Sequence, residues 1–260
     1  MKSYRYTLSF LTLFCNLSLA QGITCASPEV LDTLNANVHD AALIRNTKLP
    51  PKSILDVSVS FSHISDSVAR DGWLPCWAYG ELEIDSYLGE LLVGEDLKFS
   101  KTAKETAADY LPNIYSQPVD ESRKVLTVKG FHYNVYMTPD GALKNIKLDG
   151  NDQVSLSIYG VAWFKQNIDD VKAEIAQNSY IDAYSNFTNK DRDINEIYNH
   201  LPSLIQERVR GDMRQWIKEK NDKCGKIESL SHNDVSTTEK INVYKCQTEM
   251  TEKQIEVLTQ

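Results

Sequence analysis

The chain has 260 residues, long enough for one or two domains with a sizeable buried core. Its formal charge of −8 argues against a nucleic-acid partner, which requires a basic face, and favours attraction to a basic protein. Beyond the first twenty residues no stretch approaches the ~18 consecutive apolar residues of a membrane span, so a soluble mature chain is expected.

The N-terminus carries a secretory pattern over residues 1–20. Lys2 and Arg5 give a positive start, Leu8 to Leu19 an apolar segment, and Ser18-Leu19-Ala20 a small-residue cleavage site. Removing the two cations with this segment takes the charge from −8 to −10. Gly22-Ile23-Thr24 does not form a lipid-attachment motif before Cys25. The mature chain is therefore expected to begin at Gln21 and, in a Gram-negative host, to reside in the periplasm. Cys15 leaves with the signal, and Cys25, Cys76, Cys224 and Cys246 remain. An even number in an exported chain reads as disulfides, and four cysteines allow three pairings. The local pairing, Cys25 with Cys76 and Cys224 with Cys246, is expected. No two cysteines have the close spacing of a structural zinc site.

In chain order, Ser27-Pro28 opens a helix that runs to about Ile44, with Ser27 as cap and Pro28 as first helical residue. Pro50-Pro51 marks a loop. Leu55 to Phe61 alternates apolar and polar residues, as a half-buried strand does. After a turn at Arg70-Asp71-Gly72, Cys76 to Ile84 gives a second strand, so Cys25 would tie the first helix to the sheet. Ser100 to Leu111 reads as a short helix ended by Pro112. Lys124 to Met137 is strand-like, Pro139-Asp140-Gly141 a hairpin turn, and Ala142 to Leu148 the returning strand. Val154 to Val161 is expected as a last strand closing a small antiparallel sheet.

From Asn167 the period becomes helical. Ile168, Val171 and Ile175, then Ile194, Tyr198, Leu201 and Ile205, then Val209, Met213, Trp216 and Ile217 recur at threes and fours. Pro202 punctuates the run, and Gly225 suits a helix C-terminus. Two or three antiparallel helices follow. The expected organisation is α+β: residues 21–168 form a small antiparallel sheet with helices, and residues 175–260 form an all-helical, disulfide-bonded domain.

Catalytic patterns are missing from the sequence. His39, His63, His132, His200 and His232 are scattered, and none belongs to a metalloprotease or nucleophile-elbow motif. There is no phosphate loop, and no metal or cofactor is implied. Glu81, Glu83 and Asp85 read as a solvated strand face, and Asn186-Phe187-Thr188 matches a sequon that is common by chance. Trp216 falls on the apolar helical stripe and reads as core. Trp73, beside a glycine turn, is a candidate interface residue. Asp191 and Asn195 lie one helical turn apart, where a cap or a partner contact are both consistent.

The last third combines Asp191-x-x-Ile194-Asn195-x-x-Tyr198-x-x-Leu201, Val209-Arg210 through Arg214-x-Trp216-Ile217-x-x-Lys220-Asn221-x-x-Cys224, and Cys246-Gln-Thr-Glu-Met-Thr251. This resembles the LprI-type lysozyme inhibitor family. Lys220-Asn221 stands where that family usually has Arg-Asp, Met213 where it has Gln or Glu, and Val209 where it has Leu. The resemblance implies a non-enzymatic, periplasmic protein that binds and blocks a lysozyme or other peptidoglycan hydrolase. Two other roles fit the same chain: immunity against a periplasmic toxin from a rival bacterium, and a structural role binding the envelope. The candidate partner contacts are Trp73, Asp191 and Asn195.

Overall fold

Helix α1 (Pro28–Arg45) starts where Ser27-Pro28 places it, and Val30, Leu34, Val38 and Ala42 form its buried stripe. The Ser27 carbonyl accepts from Val30 N and Leu31 N, while its hydroxyl turns back to accept from Thr24 N instead of capping the helix. The computed structural model describes residues 22–45, 48–111, 119–120, 124–149, 152–231 and 234–259. The expected signal segment, residues 1–20, lies outside them.

A short helix, α2 (Pro51–Leu55), occupies the start of the expected first strand. Pro51 stands at its first turn, where a missing N–H costs nothing. Strand β1 (Val59–Asp66) follows and pairs antiparallel with β2 (Trp73–Glu83). Helix α3 (Ser86–Val93) was not expected, and Asp85, read with Glu81 and Glu83 as part of a strand face, instead lies beyond β2 and caps this helix, its carboxylate accepting from Leu88 N at 2.7 Å. A 3-10 turn (Asp96–Phe99) leads into α4 (Lys101–Tyr110), capped by Ser100. The two-residue β3 (Val119–Asp120), β4 (Val125–Met137) and β5 (Leu143–Leu148) complete the sheet, with the hairpin turn at Pro139–Gly141. The order is β1-β2-β4-β3, and β5 also pairs with β4.

The largest correction concerns Val154–Val161. It is not a strand but the start of α5 (Gln153–His200), a single helix of 48 residues. Asp152 caps it, accepting from Ser155 N at 3.0 Å. Val154, Ile158, Val161 and Ala162 are all buried. Their spacing of four, seven and eight also contains an alternating subset, which is why a short apolar run does not separate buried helix from strand. The first turn of α5 sits directly on the sheet: a Cβ on Gly80 of β2 would lie 2.7 Å from Val154 Cγ2. Only a glycine admits that approach.

Helices α1 and α5 cover one face of the sheet. Leu74, Cys76, Ala78 and Leu82 of β2 point into this core, as do Phe131, Tyr133 and Val135 of β4. Cys25 and Cys76 are 2% and 3% exposed and joined. This pins the start of α1 to the sheet, and the Tyr133 hydroxyl donates to the Cys25 carbonyl at 2.9 Å. The core continues along α5 through Phe164 and Val171 to Ile175. Beyond it, α5 enters a second, smaller cluster with a 3-10 turn (Ile227–Ser231) and α7 (Thr237–Thr259), and α6 (Ser203–Cys224) packs against α7. The boundary expected near residues 168–175 thus falls within one continuous helix.

Candidate functional site

The motif-bearing residues are brought together by the reversal from α5 to α6. Leu201-Pro202 breaks the helix, because proline lacks the N–H that would continue it. Gln206 then ties the turn, its side-chain amide donating to the carbonyls of Asn199 and Leu201 at 3.1 and 2.9 Å. The Tyr198 hydroxyl donates to Gln206 O at 3.3 Å. Three residues of the first motif segment therefore shape the loop.

Further along α6, Lys220 is its one buried residue among those described. Its ammonium lies 4.6 Å from the Trp216 ring and 6.0 Å from that of Phe187 on α5. It donates to Thr251 Oγ1 of α7 at 3.4 Å and stands 3.9 Å from Asp191 Oδ1 of α5. One cation thus touches all three helices. Burial lowers its pKa from the usual lysine value, and Asp191 opposes that shift. Trp216, expected as core, is half-buried and forms one wall of this site.

Gln247, the residue after Cys246, is fully buried. Its amide donates to Asn221 Oδ1 at 3.2 Å and to Gly225 O at 2.7 Å, holding α7 to the end of α6. Gly225 has φ 91°, a left-handed value that favours glycine, and it ends α6 beside the Cys224–Cys246 bridge. The bridge is half-buried and lines a shallow surface pocket of about 440 Å³ with Lys223, Glu239 and Asn242. Tyr180, Tyr184 and Phe187 of α5 surround Tyr244 of α7 at ring separations of 5.4 to 6.0 Å. Desolvation, then Tyr180, pushes the Tyr244 pKa up.

Helix α6 leaves much of its apolar stripe in solvent. Ile205 is 38% and Ile217 46% exposed, Val209 and Met213 are half-buried, and Leu204, off the stripe, is 79% exposed. Asp191 and Asn195 pair with one another: Asn195 Nδ2 donates to Asp191 O at 2.6 Å and to Asp191 Oδ2 at 3.3 Å. Asp191 also faces Lys220, so the two candidates adjoin α6. Trp73 belongs elsewhere. It lies on β2, half-buried, stacked on Tyr136 at 6.4 Å with the Arg70 guanidinium 5.8 Å from its ring. The sequence did not single out Lys220 or Gln247 as buried, because their residue types signal surface; only their place in the motif marks them.

Residues 171–258 match the family model for lysozyme inhibitor LprI. This LprI span is the C-terminal third in which the sequence resemblance lies, and it contains the Asp191–Lys220–Thr251 junction and the Cys224–Cys246 bridge. No curated protein and no solved structure matches the chain. Among the described residues, no group of three or more His, Cys, Asp or Glu is placed to hold a metal, and no helix is long and apolar enough to cross a membrane.

Proposed function

We propose that the mature protein is exported to the periplasm, where it binds a lysozyme or another peptidoglycan hydrolase and blocks it without being turned over. The LprI match over residues 171–258 is the observation that carries this reading. The exposed part of the α6 stripe supports it, because Ile205 and Ile217 are apolar side chains that the fold leaves free for a partner. Asp191 and Asn195 flank that stripe and would supply the polar contacts. Electrostatics contribute through another region. Residues 81–96 hold six carboxylates and no Lys or Arg, which would attract a basic hydrolase.

The test is the clearing of a cell-wall suspension by basic lysozymes, with and without the mature protein. Dose-dependent loss of clearing at near-stoichiometric inhibitor is expected. Failure against every lysozyme, combined with tight binding to a periplasmic toxin, would shift the reading to immunity. Cleavage of the wall by the protein itself would reject the inhibitor class.

A further inference from the structure

The face of the sheet opposite α1 and α5 is built differently from the rest of the surface. The buried positions of β2 alternate with outward ones, and the outward residues from 73 to 79 are Trp73, Pro75, Trp77 and Tyr79. Three aromatic rings on one strand, over seven residues, make a strip roughly 20 Å long. Trp77 is 38% exposed and packs 6.0 Å from Tyr79, and Tyr136 of β4 extends the strip beside Trp73. The strands on either side bear small polar groups. By register, Ser65 and His132 flank Trp77, Ser62 flanks Tyr79, and Asn134 flanks Pro75.

Two bulges frame the strip where Tyr79 sits. On β1 the pairing slips between Ser62 and Ser65, and His63 adopts φ 50° and stacks on Tyr79 at 4.7 Å. On β4 it slips between Phe131 and Val128, with Gly130 at φ 71°. A bulge re-aims side chains and bends its strand. Here β2 is bulged against from both sides, directly beside its outermost ring.

Charge decides what such a strip accepts. Cations and carboxylates mix around it: Arg70, Lys129 and Lys147 against Glu81 and Glu83. Three cations against two carboxylates are too small a surplus to hold a phosphate backbone, and the chain as a whole is acidic. An uncharged ligand with flat C–H faces and many hydroxyls is the complement. Its C–H faces would pack on Trp77, since His63 stacks on Tyr79 while Arg70 and Tyr136 lie against Trp73, and its hydroxyls would meet the flanking Ser, His and Asn side chains.

We infer that the open sheet face, centred on Trp77 with Trp73 and Tyr79 beside it, is a binding platform for a neutral glycan chain. This site is separate from the α6 surface and does not depend on the inhibitor reading. A protein with both would hold itself on a polysaccharide while its helical end engages an enzyme.

The test is a fluorescence and calorimetric titration of the mature protein with the β-1,4-linked tetramer of N-acetylglucosamine. Cellohexaose and oligothymidylate serve as comparison probes. Saturable binding of a glycan that quenches tryptophan emission is expected. Trp77→Ala should weaken it about tenfold or more, the scale of one lost stacking partner. Because Trp77 is exposed, that variant should melt like the parent, and Trp73→Ala gives a second reading. Ile217→Glu on α6 should leave glycan binding unchanged. Absence of glycan binding, binding indifferent to both Trp substitutions, or tighter binding of oligothymidylate than of either sugar would overturn the proposal. Lysozyme clearing measured with the same variants separates this outcome from failure of the inhibitor reading.

Discussion

The two ends of α5 are buried in different ways. Its first half packs with α1, α3, α4 and the sheet into a continuous core that runs from Cys25 to Ile175 and includes a disulfide almost wholly out of solvent. Its second half packs into a cluster whose buried members are Ala183, Leu230 and Tyr244. That end is held by additional devices: a half-exposed disulfide, a lysine shared by three helices, and a buried glutamine amide. The comparison teaches that one helix can be secured by a large apolar core at one end and by a few polar and covalent ties at the other. The apolar core lies mainly outside the LprI span, which instead displays apolar side chains.

The largest effect should come from the first region. Phe164 is fully buried in α5, and Phe164→Ala should cost about 3–5 kcal/mol in denaturant unfolding. A loss below about 1 kcal/mol would mean that the large cluster is not the stabilising core. Next comes the helical end. Replacing Cys224 and Cys246 together by Ser should cost about 3 kcal/mol through the freed chain entropy of a bridge 22 residues apart. We propose that residues 175–260 form a separate folding unit. That fragment should show helical circular dichroism and a cooperative melt with the bridge intact, and should lose the cooperativity on reduction. In the whole chain, alkylation under mild reductant should label Cys224 and Cys246 before Cys25 and Cys76, because only the former pair is reachable. Simultaneous labelling would remove the contrast between the two bridges.

A smaller effect sharpens the sheet side. Desolvation, with Asp66 nearby, pushes the Tyr133 pKa up from 10.0. The folded state then keeps a proton that the unfolded chain releases, so stability from this group is full below pH 10 and falls as pH rises above it. Tyr133→Phe should cost about 1 kcal/mol at neutral pH for the lost hydrogen bond and should flatten the alkaline decline. Equal alkaline slopes in parent and variant would show that Tyr133 is not the group responsible. The smallest effect on stability belongs to the acidic run. Changing Glu90 and Glu95 to Gln and Asp96 to Asn should move stability by no more than about 0.5 kcal/mol. It should nevertheless slow association with a basic hydrolase and weaken the salt dependence of the on-rate, leaving the dissociation rate largely unchanged.

The parts of this fold that were legible share a feature: a local signal agreed with the final environment. Ser27-Pro28 marked α1, Pro139-Asp140-Gly141 marked the β4–β5 hairpin, and the outward residues of β2 alternated with the core ones. The misreadings occurred where tertiary burial decided. Val154-Ser155-Leu156-Ser157-Ile158 alternates apolar and polar residues as a strand does, but α5 is sheathed on nearly every side there, so the two serines are buried as well and the alternation does not report a solvent face. Leu55 reads as strand but closes a one-turn helix set by Pro51. That Asp191 and Asn195 meet one another was legible from their spacing. Lys220 was not, because the pull of Trp216, Phe187, Thr251 and Asp191 on a single ammonium exists only once three helices have met.

The central claim is that the LprI span contacts a peptidoglycan hydrolase through the exposed stripe of α6. The most direct measurement is calorimetric titration of a basic lysozyme with the parent protein and with Ile217→Glu, a substitution at an exposed position that should leave the melting curve in place. The account predicts one-to-one binding by the parent and a loss of about tenfold or more in the variant, since a charge would be forced against a desolvated contact. Binding that is equally tight in both proteins, or no heat with the parent for any lysozyme tried, would contradict it.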